Sequence, residues 1–214
     1  PGHFHAALVQ KTQLPGIYPT VFVYGSLDSD LVQHIARIAS FNNREIEPTS
    51  WSLKIQASED FLEHFVREKP GNTVVISGKN QSKIEFMRVA VEQGLNVLAD
   101  KPWIIDPKDF PVLEAILQQA DRQALVVWDM MTERFEVTNQ LQRELLNDPA
   151  VYGEQLAGTQ DEPGLVFKSV HHLKKRVSGN ALLRPWWWFD VDISGDAMAD
   201  VGTHLVDLAL WMLP

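Results

Sequence analysis
Short runs of β-branched and aromatic residues alternate with longer segments of helical periodicity through the first two thirds of this chain. That alternation limits its fold more than any other feature. The strand-like runs are Thr20–Tyr24 (TVFVY), Thr73–Ser77 (TVVIS), Asn96–Ala99 (NVLA) and Ala124–Trp128 (ALVVW). Most of their residues are apolar, as a strand covered on both faces requires. Between them, Asp30–Phe41 places Leu31, Ile35, Ile38 and Ala39 on one helical face. Ser58–Glu68 opens on a capping Ser followed by acids, and Lys83–Gln93 is closed by Gly94. Pro107–Asp121 and Glu133–Leu146 continue the pattern, and Ala6–Thr12 adds a helix behind a Pro-Gly start. This order predicts an α/β fold with a Rossmann-type parallel sheet between layers of helix.

After Pro149 the pattern changes. Val151–Ala157 and Gly164–Leu173 read as longer strands with no helix between them. An aromatic stretch, Arg184–Asp190, and a last helix, Asp196–Leu213, complete the chain. The predicted division is a dinucleotide-binding-type domain over 1–149 and the beginning of a second domain over 150–214. The chain opens on Pro1 rather than Met and ends on an apolar helix that stops abruptly. It is therefore expected to be part of a longer protein, without the first strand of its sheet.

Composition narrows the class. The 214 residues carry 19 Lys+Arg against 28 Asp+Glu, a net charge of −9, which argues against a nucleic-acid partner. No apolar run has the length of a membrane span. The absence of cysteine excludes disulfides and thiolate metal sites, and no metal is expected. A cytoplasmic location is the expectation, or a periplasmic one if a leader has been removed.

In an open α/β sheet, ligands bind at the carboxyl ends of the strands. The Gly2-His3-Phe4-His5 stretch precedes a helix and could cradle a phosphate, although no complete G-x-G-x-x-G is present. Gly2 is either a close-approach glycine or an ordinary turn residue. After the Thr20–Tyr24 strand, Asp28 could bind a ribose, and Ser26 could accommodate a 2′-phosphate, so NAD and NADP both remain open. The strand Asn96–Ala99 runs into Asp100-Lys101-Pro102. Pro102 ends the ladder and holds Lys101 at the sheet edge, where its amine can donate to a substrate oxygen and where burial would lower its pKa. In the last helix Asp200 and His204 stand four apart, so a carboxylate would lie beside an imidazole and prepare a general base. Gly202 between them leaves room for a close approach. Arg184, Trp187 and Asp190 suit the apolar faces and hydroxyls of a sugar, or else belong to an aromatic core. Arg134 binds substrate or pairs with a nearby acid. Of His171 and His172, strand alternation points at most one into a site, and His171 is the candidate.

These segments resemble, in order, the glucose–fructose oxidoreductase / inositol dehydrogenase / MocA family. The likeness rests on Asn80-Gln81-Ser82-Lys83-Ile84-Glu85, on Gly94-Leu95-Asn96-Val97-Leu98-Ala99-Asp100-Lys101-Pro102, and on Asp200-x-Gly202-x-His204-x-x-Asp207. It implies a second domain of α+β type with a large open antiparallel sheet, only begun in this chain. It implies NAD(P)-dependent oxidation or reduction of a sugar or polyol, and a homo-oligomer. By position, Lys101 would orient the substrate, His204 would be the general acid/base and Asp200 would support it. Ser77, Gly78, Asn80 and the Asp100-Lys101-Pro102 segment would lie along the cofactor. The sequence departs from the family in its glycine loop, and Lys83 stands where the family commonly has His. A glycoside hydrolase of the same family, or a non-catalytic sugar- or partner-binding relative, are the alternatives.

Overall fold
The computed structural model describes residues 21–25, 31, 32, 35, 36, 39, 53–131, 133–168, 175–177, 180–182 and 184–213. The candidates Gly2, His3, Phe4, Ser26, Asp28 and His171 lie outside the described residues, as does the segment 6–12. The chain divides into two compact units. One takes in residues 1–78, 85–99 and 114–128, and the other residues 79–84, 100–113 and 129–214.

In the first unit β1 (Val21–Gly25) pairs in parallel with β2 (Leu53–Ala57), with Val21 opposite Leu53 and Gly25 opposite Ala57. Helix α1 (Phe61–Glu68) follows directly. Strand β3 (Thr73–Ile76) pairs in parallel with β4 (Asn96–Ala99), and β5 (Val127–Asp129) adjoins β4. The connections are helices, α2 (Lys83–Glu92) and α3 (Phe110–Arg122), because parallel neighbours need a long crossover. This is the βαβ order that the strand–helix alternation predicts.

The core of this unit is small and apolar. Met87, Ala90, Val91, Val97 and Ala99 are fully buried, with Leu95, Ile116 and Ala120 close behind. Alternation shows in β4, where Val97 and Ala99 are buried and Asn96 and Leu98 are partly exposed. Asn96 works at the strand end instead: its side chain donates to Asn72 O at 3.0 Å and accepts from Val126 N at 2.9 Å.

Helices α2 and α3 end alike. Leu95 N donates to Ala90 O at 3.0 Å and Gly94 N to Val91 O at 3.0 Å, with Gly94 at φ 73°. Leu125 N donates to Ala120 O at 2.9 Å and Ala124 N to Asp121 O at 3.1 Å, with Ala124 at φ 54°. Both are Schellman ends, which favour glycine in the left-handed position. Ala124 carries a Cβ where none is wanted. Ala124→Gly is therefore expected to stabilise the protein by about 1 kcal/mol, a rise of about 2–4 °C in Tm by calorimetry. An unchanged or lower Tm would show that the left-handed residue costs nothing here.

In the second unit, the turn Glu133–Phe135 leads into α4 (Val137–Leu146) and the short α5 (Pro149–Tyr152). The expected single helix Glu133–Leu146 is thus broken at Glu136. The expected strand Val151–Ala157 is not formed: Asp148 Oδ1 accepts from Ala150 N at 2.9 Å, and Pro149 opens α5. That pairing of a carboxylate cap with Pro is a helix start, which the β-branched Val151 does not outweigh. The described part of Gly164–Leu173 is irregular too. A short antiparallel pair, β6 (Lys175–Val177) and β7 (Asn180–Leu182), follows. Trp186–Phe189 form a helical turn, then come α6 (Val191–Ser194), a π turn at Met198–Gly202 and α7 (Thr203–Met212). The expected helix Asp196–Leu213 is therefore two geometries joined at Gly202. Leu208 and Met212 bury the inner face of α7. Among the described residues no helix is long and apolar enough to cross a membrane.

Candidate active site
All the paired side chains of the candidate site lie within the second unit. The most buried is Lys83, whose residue is 1% exposed. Its Nζ donates to Asn80 Oδ1 at 3.0 Å, to Asp100 O at 2.8 Å and to Lys101 O at 3.2 Å. An ammonium has three protons, and here each has an acceptor. Burial pulls the Lys83 pKa down to about 8, against the opposing pull of Asp100, Asp200 and Asp129. Asn80 passes the chain of bonds on, donating from Nδ2 to Ser194 O at 2.7 Å. Lys83 thus holds the backbone of Asp100 and Lys101, and Asn80 ties that hold to the loop before α7.

The spacing of Asp100-Lys101-Pro102 singles out Lys101 as the lysine whose pKa burial would lower, but the more deeply buried lysine is Lys83, the first residue of α2. The Lys101–Pro102 peptide is cis. The Lys101 side chain is 16% exposed, and its Nζ reaches Asp200 Oδ1 at 3.0 Å and also the Asp200 carbonyl. The second carboxylate oxygen, Oδ2, accepts from Trp188 Nε1 at 2.7 Å. Both oxygens of Asp200 are therefore engaged.

His204 does not use Asp200. Its Nδ1 stands 2.9 Å from Glu133 Oε2, and both side chains are about a quarter exposed, at 26% and 27%. Burial pushes Glu133 up, but contact with His204 outweighs it and holds the carboxyl below its usual range. Thr203 N donates to Met198 O, five residues back, so a π turn carries Asp200 into the helix of His204. The Asp200 carboxylate is drawn instead to Lys101 and Trp188. The room beside Gly202 is taken by Met198, whose Sδ stands 2.7 Å from where a Cβ would lie.

Arg134 resolves in favour of pairing. Its Nε donates to Asp207 Oδ2 at 2.7 Å and its Nη2 to Oδ1, a two-point grip on α7. The side-chain hydrogen bond to Asp207 raises the Arg134 pKa. Asp190 is a helix cap, accepting from Asp192 N at 3.0 Å. Arg184 lies over the Trp188 ring, 4.8 Å from its centroid. Trp186 is 71% exposed, while Trp187 and Trp188 are half-buried in the same helical turn. Gly195, at φ 81°, allows the loop before the π turn to pass Ile105, whose Cγ2 is 2.8 Å from the place of a Cβ.

Two carboxyls at strand ends are raised, Asp100 and Asp129, both first of all by burial. Repulsion from Asp207 and Asp100 adds to the rise at Asp129, whose Oδ1 is buried without a partner. Among the described residues no group of carboxylates and histidines is arranged to hold a metal ion. In the first unit, Ser77 and Gly78 follow β3. Gly78 has φ 127°, and no atom lies within 4 Å of where a Cβ would stand.

Glu133, Trp188, Lys83 and Asp129 were not chosen from sequence as site residues. Glu133-Arg134 showed only as a charged pair after a strand. Asn80 stands three residues from Lys83, but Asp100 is 17 from Lys83 and Asp200 is 12 from Trp188, and no local spacing reports such pairings.

Comparison with known proteins supports a family. Residues 141–213 match the family model described as "Putative oxidoreductase C terminal domain". A structure of a putative oxidoreductase from Parabacteroides merdae is 45% identical, with TM-score 0.91 over 99% of this chain and 48% of its own. The WlbA (WbpB) dehydrogenase of Thermus thermophilus, solved with NAD and UDP-GlcNAcA, shares the fold at 16% identity. Its TM-score is 0.58 over 97% of this chain and 58% of its own. A 3-ketoreductase from Actinomadura kijaniata, solved with NADP and TDP-benzene, does so at 14% identity. Its TM-score is 0.52 over 83% of this chain and 46% of its own. This chain thus spans about half the length of the solved structures it matches. Among curated proteins nothing matches. The βαβ architecture, the Asp-Lys-Pro strand end and the matched carboxyl-terminal domain agree, and the chain is similar to oxidoreductases of the glucose–fructose oxidoreductase / inositol dehydrogenase / MocA type.

Proposed function
We propose that the whole protein is an NAD(P)-dependent oxidoreductase acting on a hydroxyl or keto group of a sugar or polyol-like substrate. The observation that supports this most is the fixing of Lys101, by Asp200 in front and by Lys83 through its backbone. A cofactor fits the first unit on one count: the open backbone face of Gly78 at the end of β3 admits a flat ring. Ser77 and Gly78 would line it there. When bound, the nicotinamide ring supplies the hydride acceptor or donor.

The chain's own residues handle the proton. The Lys101 ammonium donates to the reacting oxygen and favours the negative charge that develops there. His204 Nε2 takes the hydroxyl proton as hydride leaves the carbon, and returns it in the reverse direction. Asp200 aims Lys101. Trp187, beside the half-buried Trp188, offers a ring edge for a sugar face.

Titration of the full-length protein with NADH and NADPH, followed by Trp fluorescence, tests the reading. A panel of sugars and polyols with nicotinamide absorbance as readout completes it. Saturable binding and turnover are expected. A folded protein that binds neither nucleotide would remove the proposal, and release of free sugar with no net NADH change would replace it with hydrolysis.

A further inference from the structure
The carboxylate that prepares His204 comes from the turn after β5 and not from the helix that carries the histidine. We propose that Glu133 is the positioning residue for His204, holding Nδ1 so that Nε2 is the atom that exchanges a proton with the substrate oxygen. This rests on the reading of His204 as acid/base given above.

Three observations carry it. Glu133 Oε2 is 2.9 Å from Nδ1, an ion-pair contact, and among the described residues that buried nitrogen has no hydrogen-bond partner to compete with it. Asp200, the alternative carboxylate, has one oxygen on Lys101 Nζ at 3.0 Å and the other on Trp188 Nε1 at 2.7 Å. Each of its oxygens thus already accepts from another side chain. Arg134, next to Glu133, is clamped two-fold to Asp207, three residues beyond His204 on α7. That clamp fixes the turn to the same helix, so the Glu133 backbone cannot drift relative to the ring. The pair of residues at 133 and 134 thus does two jobs, one anchoring α7 and one setting its histidine.

A neutral imidazole has one N–H, and a carboxylate can only accept. Glu133 therefore selects the tautomer with the proton on Nδ1, and Nε2 is left with its lone pair. As Nε2 takes a proton the ring becomes a cation beside Glu133, which stabilises it there.

The test uses the full-length protein with its histidines labelled in the ring nitrogens. The His204 signals are identified by their loss in His204→Gln. In the unaltered protein the expected pattern is Nδ1–H with an unprotonated Nε2. Glu133→Ala is expected to shift it towards Nε2–H. Glu133→Gln, of equal size, guards against a folding defect, and is expected to give a mixture. In turnover, Glu133→Gln is expected to lower kcat by about 10²-fold or more with KM changed by less than about threefold, and Glu133→Asp to recover part of it. A ring carrying its proton on Nε2 in the unaltered protein, or one indifferent to Glu133→Ala, overturns the proposal. The ring spectra need no turnover, so an inactive protein with the expected tautomer would reject the oxidoreductase reading and leave this one standing.

Discussion
Lys101→Met lowers turnover by about 10³-fold while nucleotide affinity changes by less than about threefold, if Lys101 is the donor to the reacting oxygen. The size follows from its place. Its side chain is mostly buried, and it meets Asp200 through both the carboxylate and the carbonyl. A donor held in this way loses no freedom when it meets the substrate. Removing it also strands Asp200, leaving a half-buried carboxylate held by Trp188 Nε1. Breaking one side of such a pair costs stability. The variant by itself therefore mixes chemistry with folding. The double variant Lys101→Met/Asp200→Asn separates them. It removes both charges and is expected to regain most of the lost stability and none of the turnover. Steady-state kinetics with denaturant unfolding on the same samples checks this. A double variant that regains activity would show that Lys101 serves only to neutralise Asp200.

The second large effect concerns Lys83. Its folded pKa is lowered to about 8 from 10.5, chiefly by burial. The unfolded chain therefore holds the proton to higher pH than the folded one. Between those two values the unfolded state binds more protons, so folding stability rises with pH across the window. At one pKa unit per 1.36 kcal/mol, the full rise is about 3 kcal/mol. Lys83→Met removes this term. It also leaves Asn80 Oδ1, Asp100 O and Lys101 O without the donor that holds them. The variant is expected to be less stable at pH 7 by several kcal/mol, at about 1–3 for each acceptor left unsatisfied. Its deficit is expected to widen as the pH is raised above 8. Denaturant midpoints of both proteins from pH 7 to pH 10 give the difference. A deficit that stays constant would mean that Lys83 keeps its proton throughout.

The helix ends and strands were legible because they depend on neighbours in the chain. Asn96–Ala99 reads as a strand from four residues and forms as one. Gly94 closes its helix as a glycine in that place should. Errors came where two local signals competed, as at Pro149–Tyr152, where a capped Pro start prevailed over a β-branched residue. The candidate residue types were also legible: a lysine behind a strand end, and an acid and a histidine at the last helix.

The sequence by itself thus determined the alternation of elements and the α/β class, and it offered Lys101, Asp200 and His204 as candidates. These follow from side-chain periodicity and residue type, which act over a few positions. Tertiary structure alone decided who partners whom. Lys101 meets Asp200 across 99 residues of chain, and Arg134 meets Asp207 across 73. Glu133 rather than Asp200 faces His204, because Lys101 and Trp188 take up the Asp200 carboxylate. Lys83 is buried more deeply than Lys101, and its protons find three acceptors there. Such pairings arise from packing and hydrogen-bond satisfaction among distant segments, for which no spacing in the chain is a guide.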